Sequence, residues 1–390
     1  MTNKSSVQSR HFFLAFVVIL LSVLAALFIF PRFGSSVVWN APAALELATT
    51  TIPIFPTPPR VTHRDTPDPV RALYMTACVA GVPSLRSRLI ALATATEINA
   101  LVIDIKDYSG AVFFPRENQV FNKPNPDCSI VNDMREFVNE LHDNDIYVIG
   151  RVTVFQDPHF AGAHPELAVQ KKDGTVWRDR KGLAFVDVSA REYWDEIAAL
   201  SMDAYAIGFD EINFDYIRFP SDGNMQDIKY PLTGTTTKAV ALKNFFSYLH
   251  DSLEGTGIVT SADLFGMTTS NTDDLGIGQV LENTLPYFDY VAPMVYPSHY
   301  PPGFDGHANP AAVPYEIITY AMQKGIERTE AASSTPTKLR AWLQDFNLGA
   351  VYTPELVRKQ KQALYDLGLT SWMMWDPKNV YTRGALDETP

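Results

Sequence analysis

GFDEINFDYIRFP, residues 208–220, is the stretch whose reading decides the fold. β-branched and aromatic residues dominate it, so 211–217 reads as a strand. Strand side chains alternate between faces. Glu211, Asn213 and Asp215 therefore share one face, and Ile212, Phe214 and Tyr216 the other. A carboxylate in so apolar a strand is costly to bury unless it is paired or used. One reading is a structural ion pair of Arg218 with Asp215 or Asp210. The other is a polar strand end that carries chemistry, and the choice rests on the surrounding chain.

Outward from this stretch, strand-like and helix-like segments alternate. Strand patterns fall at 72–76, 100–105, 146–154, 211–217, 258–264, 290–296, 338–343 and 370–375. Helical patterns lie between them at 84–97, 130–143, 190–206, 237–253, 277–285, 310–324 and 354–367, several stopped by Asn or Gly, as at Asn144, Gly208 and Gly368. Eight strands with intervening helices over roughly 310 residues predict an α/β fold, a (β/α)8 TIM barrel. A doubly wound open sheet is the alternative, but no Gly-rich phosphate loop follows the first strand.

A barrel should gather its functional groups where strands end. Here the second strand ends in Asp104, Lys106 and Asp107, the third in Arg151, the fourth in Asp215 and Arg218 and the fifth in Asp263. The sixth ends in Met294 and Tyr296, the seventh in Gln344 and Asp345, and the eighth in Trp375 and Asp376. Parity puts Asp104 and Lys106 on one face, and places Glu211 deeper than Asp215, in a structural position. Among the loops, 156–188 is the longest excursion. Its VQKKDGTVW run has a central Asp-Gly that signals a hairpin, and Trp177 to Arg180 follow. Exposed aromatics beside Arg, Asp and His suit sugars, whose apolar faces stack on rings while their hydroxyls need polar partners; the bland reading is that these rings pack loops onto the rim.

Other chemistries fit less well. His159 and His164 are five apart and His299 and His307 eight apart, neither a helical ligand pair, so no metal or cofactor is expected. No Gly-x-Ser-x-Gly elbow occurs. Carboxylates abound at the strand ends, and a carboxylate pair is what glycoside hydrolysis requires. The net charge of −12, without a dense basic run, argues against a nucleic-acid partner. The two cysteines, Cys78 and Cys128, fit no zinc spacing; they either pair or remain as two buried thiols.

The first 69 residues read as appendages. Residues 12–30 are uncharged and almost wholly apolar, close to the roughly 20 that a membrane span needs. Lys4 and Arg10 precede the run, which favours an inside N-terminus. The expected organisation is a cytoplasmic N-terminus (1–11), a transmembrane signal anchor (12–30), a Pro/Thr-rich linker of low order (31–69), the barrel (70–384) and a C-terminal tail (385–390). The chain would then be a single-pass protein of the cell membrane with its barrel extracytoplasmic. The competing reading is a signal peptide cut near residues 41–43, which would secrete the same barrel.

VIDIKDYSGAVFF, GRVTVFQDPHFAGAHPELAVQKKDGTVWRDRKGLAFVDV, GFDEINFDYIRFPSDG, DDLGIGQ and FDYVAPMVYPSHY together resemble a bacterial family assigned to the glycoside hydrolases mainly by fold, near the α-amylase-like TIM barrels. The likeness spans nearly all of 70–376. In amylase-like barrels an Asp ending the fourth strand is the nucleophile and a carboxylate ending the fifth is the acid/base. The resemblance thus implies Asp215 as nucleophile or base and Asp263 as general acid, with Glu211 and Asp210 as alternative acids. Two details differ from amylases: the fifth-strand residue is Asp rather than Glu, and Arg218 follows the nucleophile rather than preceding it. The resulting expectation is a membrane-anchored hydrolase of a polysaccharide or oligosaccharide. In it Arg218 holds Asp215 ionised, Asp104, Lys106, Arg151, Trp177 and Asp376 contact sugar, and Tyr296 and Trp375 form a stacking floor. The alternative is a non-catalytic carbohydrate-binding barrel.

Overall fold

The computed structural model describes residues 61–116 and 128–388. Eight parallel strands close into one barrel. In chain order they and their helices are β1 (Arg71–Met75), α1 (Pro83–Thr94), β2 (Ala100–Lys106), α2 (Met134–Asp143), β3 (Tyr147–Thr153), α3 (Arg191–Ile207), β4 (Glu211–Asp215), α4 (Lys238–Leu253), β5 (Val259–Phe265), α5 (Leu281–Thr284), β6 (Tyr290–Met294), α6 (Pro314–Ala331), β7 (Ala341–Gln344), α7 (Pro354–Asp366) and β8 (Trp372–Trp375). Each strand pairs with its neighbours in sequence, and β1 closes the ring on β8 with Leu73 opposite Met374. This is the (β/α)8 architecture that the strand–helix alternation predicts. The expected helix at 277–285 shrinks to the single turn of α5, and α6 begins four residues later than expected and runs on to Ala331.

Parity along the strands divides the apolar residues into two layers. Outward-facing Ile212, Phe214, Leu101, Ile103, Val148 and Val152 join the helices in the main core. Inward-facing Ala72, Tyr74, Val102, Ile149, Ala292, Trp342 and Met373 fill the barrel itself. Helix ends follow their sequence signals: the Thr237 and Thr353 side chains accept from Val240 and Leu356 N–H groups at the starts of α4 and α7. Gly208 ends α3 with φ of 122°, a conformation open to glycine, and delivers the chain into β4.

The interior is polar in layers. At the N-terminal end of the barrel, Glu211 takes two hydrogen bonds from Arg340 Nη1 at 2.8 and 2.9 Å and one from Tyr147. Both ions of that pair are fully buried. Glu211 is thus the structural residue that its depth predicts.

Residues 61–69, expected in the linker, instead pack across this N-terminal end. Arg64 N donates to Asp210 at 2.8 Å and its guanidinium to the carbonyl of His142 at 2.9 Å. His63 stacks on Tyr205 with ring centroids 3.7 Å apart, and Thr66 hydrogen-bonds Tyr147. Asp210 is consumed here by Arg64, Val148 and His142. It therefore neither pairs with Arg218 nor reaches the opposite end as an acid.

Among the described residues no helix is long and apolar enough to cross a membrane. The expected span at 12–30, and all of the linker before residue 61, lie outside the described residues. Cys78 and Cys128 form a disulfide with Cα atoms 4.7 Å apart, which settles a pairing that sequence alone left open.

Candidate active site

The strand register assembles the site. Asp104 on β2 lies opposite Arg151 on β3, and Thr153 lies opposite Asp215, the last residue of β4. Arg151 Nη1 donates to Asp104 Oδ1 at 2.6 Å, and Nη2 donates to Asp215 Oδ2. Its Nε is 3.9 Å from Asp263 Oδ2 on β5. One guanidinium therefore faces three carboxylates. Burial works against its charge, but Asp215 and Asp104 hold it well above the usual arginine value.

The three acids are not equivalent. Asp104 also accepts from the Tyr74 hydroxyl; burial raises its carboxyl, and Arg151 and Tyr74 oppose that rise. Asp215 accepts from the backbone N–H of Tyr216 as well as from Arg151. Asp263 is 1% exposed, and its Oδ1 accepts from Trp342 Nε1 at 2.8 Å and Asn213 Nδ2 at 2.9 Å. Burial first, and the neighbouring Asp215 charge second, push Asp263 well above the ordinary carboxylate range. Of the two strand-end acids, Asp263 is therefore the more deeply buried one, with its carboxyl pushed up, and Asp215 the one hydrogen-bonded by Arg151. Asn213, one layer below Asp215, bridges β4 to Ser261 and Asp263 and fixes the latter's orientation.

Tyr216 has φ of 52°, uncommon outside glycine, so β4 stops at Asp215 rather than running to 217. That turn carries Arg218 out of line with Asp215. Arg218 Nη1 donates to Phe219 O and Ser221 Oγ, and its guanidinium lies over the rings of Tyr216 and Phe265, 5.0 Å from each centroid. The expected Arg218–Asp215 pair is thus replaced by Arg151–Asp215.

A cavity of about 310 Å³ opens over β4 to β8, lined by Asp215, Asp263, Arg218, Tyr296, Trp342 and Trp375 among others. Tyr296 and Trp375 stack at 5.3 Å, and Phe346 packs edge-on to both. Gly266 lies against the carbonyl of Met294 so closely that a Cβ would sit 2.5 Å from it, so the β5 end admits no side chain there. A second lobe, of about 630 Å³, lies over β1 to β3 and holds Asp104. Arg151, Tyr216, Arg218 and Trp375 line both lobes.

Three expected sugar contacts lie elsewhere. A register shift between Asp104 and Lys106 reverses the expected parity and turns Lys106 outward. It is fully buried, 2.9 Å from Asp157 Oδ2, and donates to the carbonyl of Thr153 at 2.8 Å. Trp177 follows the predicted hairpin, whose turn is closed by Lys171 N donating to Thr175 O at 2.7 Å. It is 1% exposed, packs with Val169 and Phe185, and donates to the carbonyl of Asn224 at 3.0 Å. It holds the excursion together instead of meeting sugar. Asp376 is buried and accepts from Lys378 and Val380 N–H groups as a turn brace. Sequence reading missed Tyr74 and Trp342 as site residues. Their inward parity on β1 and β7 was the available signal.

A family model described as "Putative glycosyl hydrolase domain" matches residues 72–381. Among solved structures, the glycoside hydrolase domain of PgaB (BpsB) from Bordetella bronchiseptica is 14% identical, over 82% of this chain and 99% of that one, with a TM-score of 0.57. The α-galactosidase TtGalA from Thermus thermophilus, in complex with stachyose, is 13% identical over 81% of this chain and 63% of that one, with a TM-score of 0.51. A hypothetical protein from Ruminiclostridium thermocellum ATCC 27405 is 32% identical over 52% of this chain and 98% of that one, with a TM-score of 0.45. A search of curated proteins gave no match. PgaB and TtGalA share the barrel fold with this chain, and the match over residues 72–381 shows that the chain belongs to this glycosyl hydrolase family.

Proposed function

We propose that the protein hydrolyses glycosidic bonds of a polysaccharide outside the cytoplasm, with Asp215 as nucleophile or base and Asp263 as general acid. The observation that carries this reading is the unequal treatment of two neighbouring carboxylates. Arg151 hydrogen-bonds Asp215, whereas Asp263 is buried beside it with its carboxyl pushed well up. Acid and base assignments follow from such a divergence of environments. Asp263 would give its proton to the leaving glycosidic oxygen while Asp215 attacks the anomeric carbon or draws a proton from the attacking water. Arg151 balances the local charge, and the Tyr296–Trp375 stack offers a sugar face its platform.

Residues 12–30 would anchor the chain and the Pro/Thr-rich stretch up to residue 60 would tether the barrel. The length of the apolar run and the Lys4 and Arg10 that precede it support this topology. The Cys78–Cys128 disulfide suits an oxidising compartment. Protease added to intact cells should release a soluble barrel cut between 50 and 60. A mature N-terminus near residue 44 would show a cleaved signal peptide instead.

The test of the chemistry is reducing-end release by the full-length protein from soluble starch, galactomannan, carboxymethylcellulose and glycol chitin. Asp215→Asn should lower kcat by roughly a thousandfold or more with little change in sugar binding. Sugar binding without turnover by the unmodified protein would select the non-catalytic barrel.

A further inference from the structure

Resting on the hydrolase reading above, we infer that the enzyme holds its polymer across both lobes of the cleft and cuts within the chain, which makes the lobe over β1 to β3 a second glycan-binding region. The two acids line the first lobe, next to residues that line both lobes. Asp215 is bonded to Arg151 and followed by Tyr216, and both of those residues line the divide. A substrate seated at the acids can therefore continue past Arg151 and Tyr216 into the second lobe. An enzyme that trims chain ends needs one side closed.

The sizes agree with this. Lobes of about 310 and 630 Å³ each reach the range of about 300–1,000 Å³ typical of small-molecule sites. Their linings also differ. The first lobe is mostly apolar and aromatic, with Phe265, Met294 and Trp342 beside the two acids. The second presents Asp107, Gln156, Asp179 and Lys181, hydrogen-bonding groups suited to a hydroxylated chain. At its edge stands Tyr108, 54% exposed, the one aromatic among the strongly exposed large apolar side chains of the described residues. A ring left in water at the lip of a polar groove is a stacking surface for a sugar unit well removed from the acids. Arg218, tied by one nitrogen to Phe219 and Ser221, stands on the divide and can grip the chain as it passes from one lobe to the other.

The experiment follows polymer length against reducing ends formed, using the full-length protein and whichever of the four polysaccharides named above it cleaves. The expected result is a steep early fall in mean length for few new ends. Tyr108→Ala, at an exposed position, should lower kcat/KM for the polymer about tenfold more than for a short aryl glycoside, the loss of one stacked unit. Leu183→Trp, which fills the second lobe, should shift the same ratio in the same direction, with unfolding temperature measured on both variants. Release of mono- or disaccharides from one end, with polymer length nearly constant, would overturn the inference and leave the hydrolase reading standing. An unchanged ratio in both folded variants would likewise overturn it. Absence of reducing ends from all four polymers would instead count against the hydrolase reading, and the inference would fall with it.

Discussion

Replacing Arg151 by Met tests the site at its centre. The substitution roughly keeps the volume of the stem and removes the cation that Asp104, Asp215 and Asp263 share. At an effective dielectric of about 20, two opposite unit charges about 4 Å apart attract by about 4 kcal/mol, and the contact to Asp104, at 2.6 Å, is closer than that. Desolvation of the free charges offsets much of the sum. The measurable cost is that of breaking a buried pair from one side, about 3–5 kcal/mol. At about 2 °C per kcal/mol for a domain of this size, unfolding should fall by roughly 6–10 °C near pH 8.

The pH dependence sharpens the test. Burial already raises Asp104 and Asp263, and Arg151 opposes both rises. Without it, each carboxyl moves further above its unfolded value. A group raised in this way contributes stability that is full below the ordinary carboxylate range and is lost as pH rises through the folded value. The Met variant's deficit should therefore widen from pH 5 to pH 8. Arg151→Lys keeps the charge but cannot span two carboxylates, so it should recover only part of the loss. Calorimetry at both pH values, with turnover on the same samples, decides the matter. A deficit under about 1 kcal/mol that does not change with pH would refute the three-carboxylate account.

Asp263→Asn should cost unactivated substrates roughly 10²–10⁴-fold and activated aryl glycosides far less, since a good leaving group needs no proton. In the unmodified enzyme the alkaline limb of the pH–rate profile should follow deprotonation of Asp263, and the variant should lack that limb. Trp375→Ala should raise KM about tenfold with a smaller change in kcat, as read from initial rates on the cleaved polymer. Arg340→Met strands Glu211 at the closed end of the barrel. It should lower stability by about 3–5 kcal/mol while activity per folded molecule stays unchanged.

Much of the site was legible because strand parity is a two-valued code. Asp104, Asp215 and Asp263 fall on inward positions of the second, fourth and fifth strand patterns, and the structure brings all three to Arg151. The code fails where the backbone departs from a regular strand. One irregularity between Asp104 and Lys106 sends Lys106 to the helix side. The left-handed turn at Tyr216 detaches Arg218 from Asp215, although only two residues separate them in sequence. Arg151 wins that partnership through register across strands, which a single sequence does not display. Trp177 misleads for another reason. A hairpin with its own apolar side chains builds a small core, and an aromatic beside a turn then faces inward.

Closure of the ring through β1 and β8 also sets the order in which the molecule can be completed. Leu73 finds Met374 only after roughly 300 further residues have emerged, and at about 5–20 residues per second that interval is roughly 15–60 s. Until then one edge of Arg71–Met75 carries unpaired N–H and C=O groups, a template for pairing with any other chain nearby. A nascent chain stalled or truncated before Trp372–Trp375 would present two such edges, on β1 and β7, whereas the finished barrel has none.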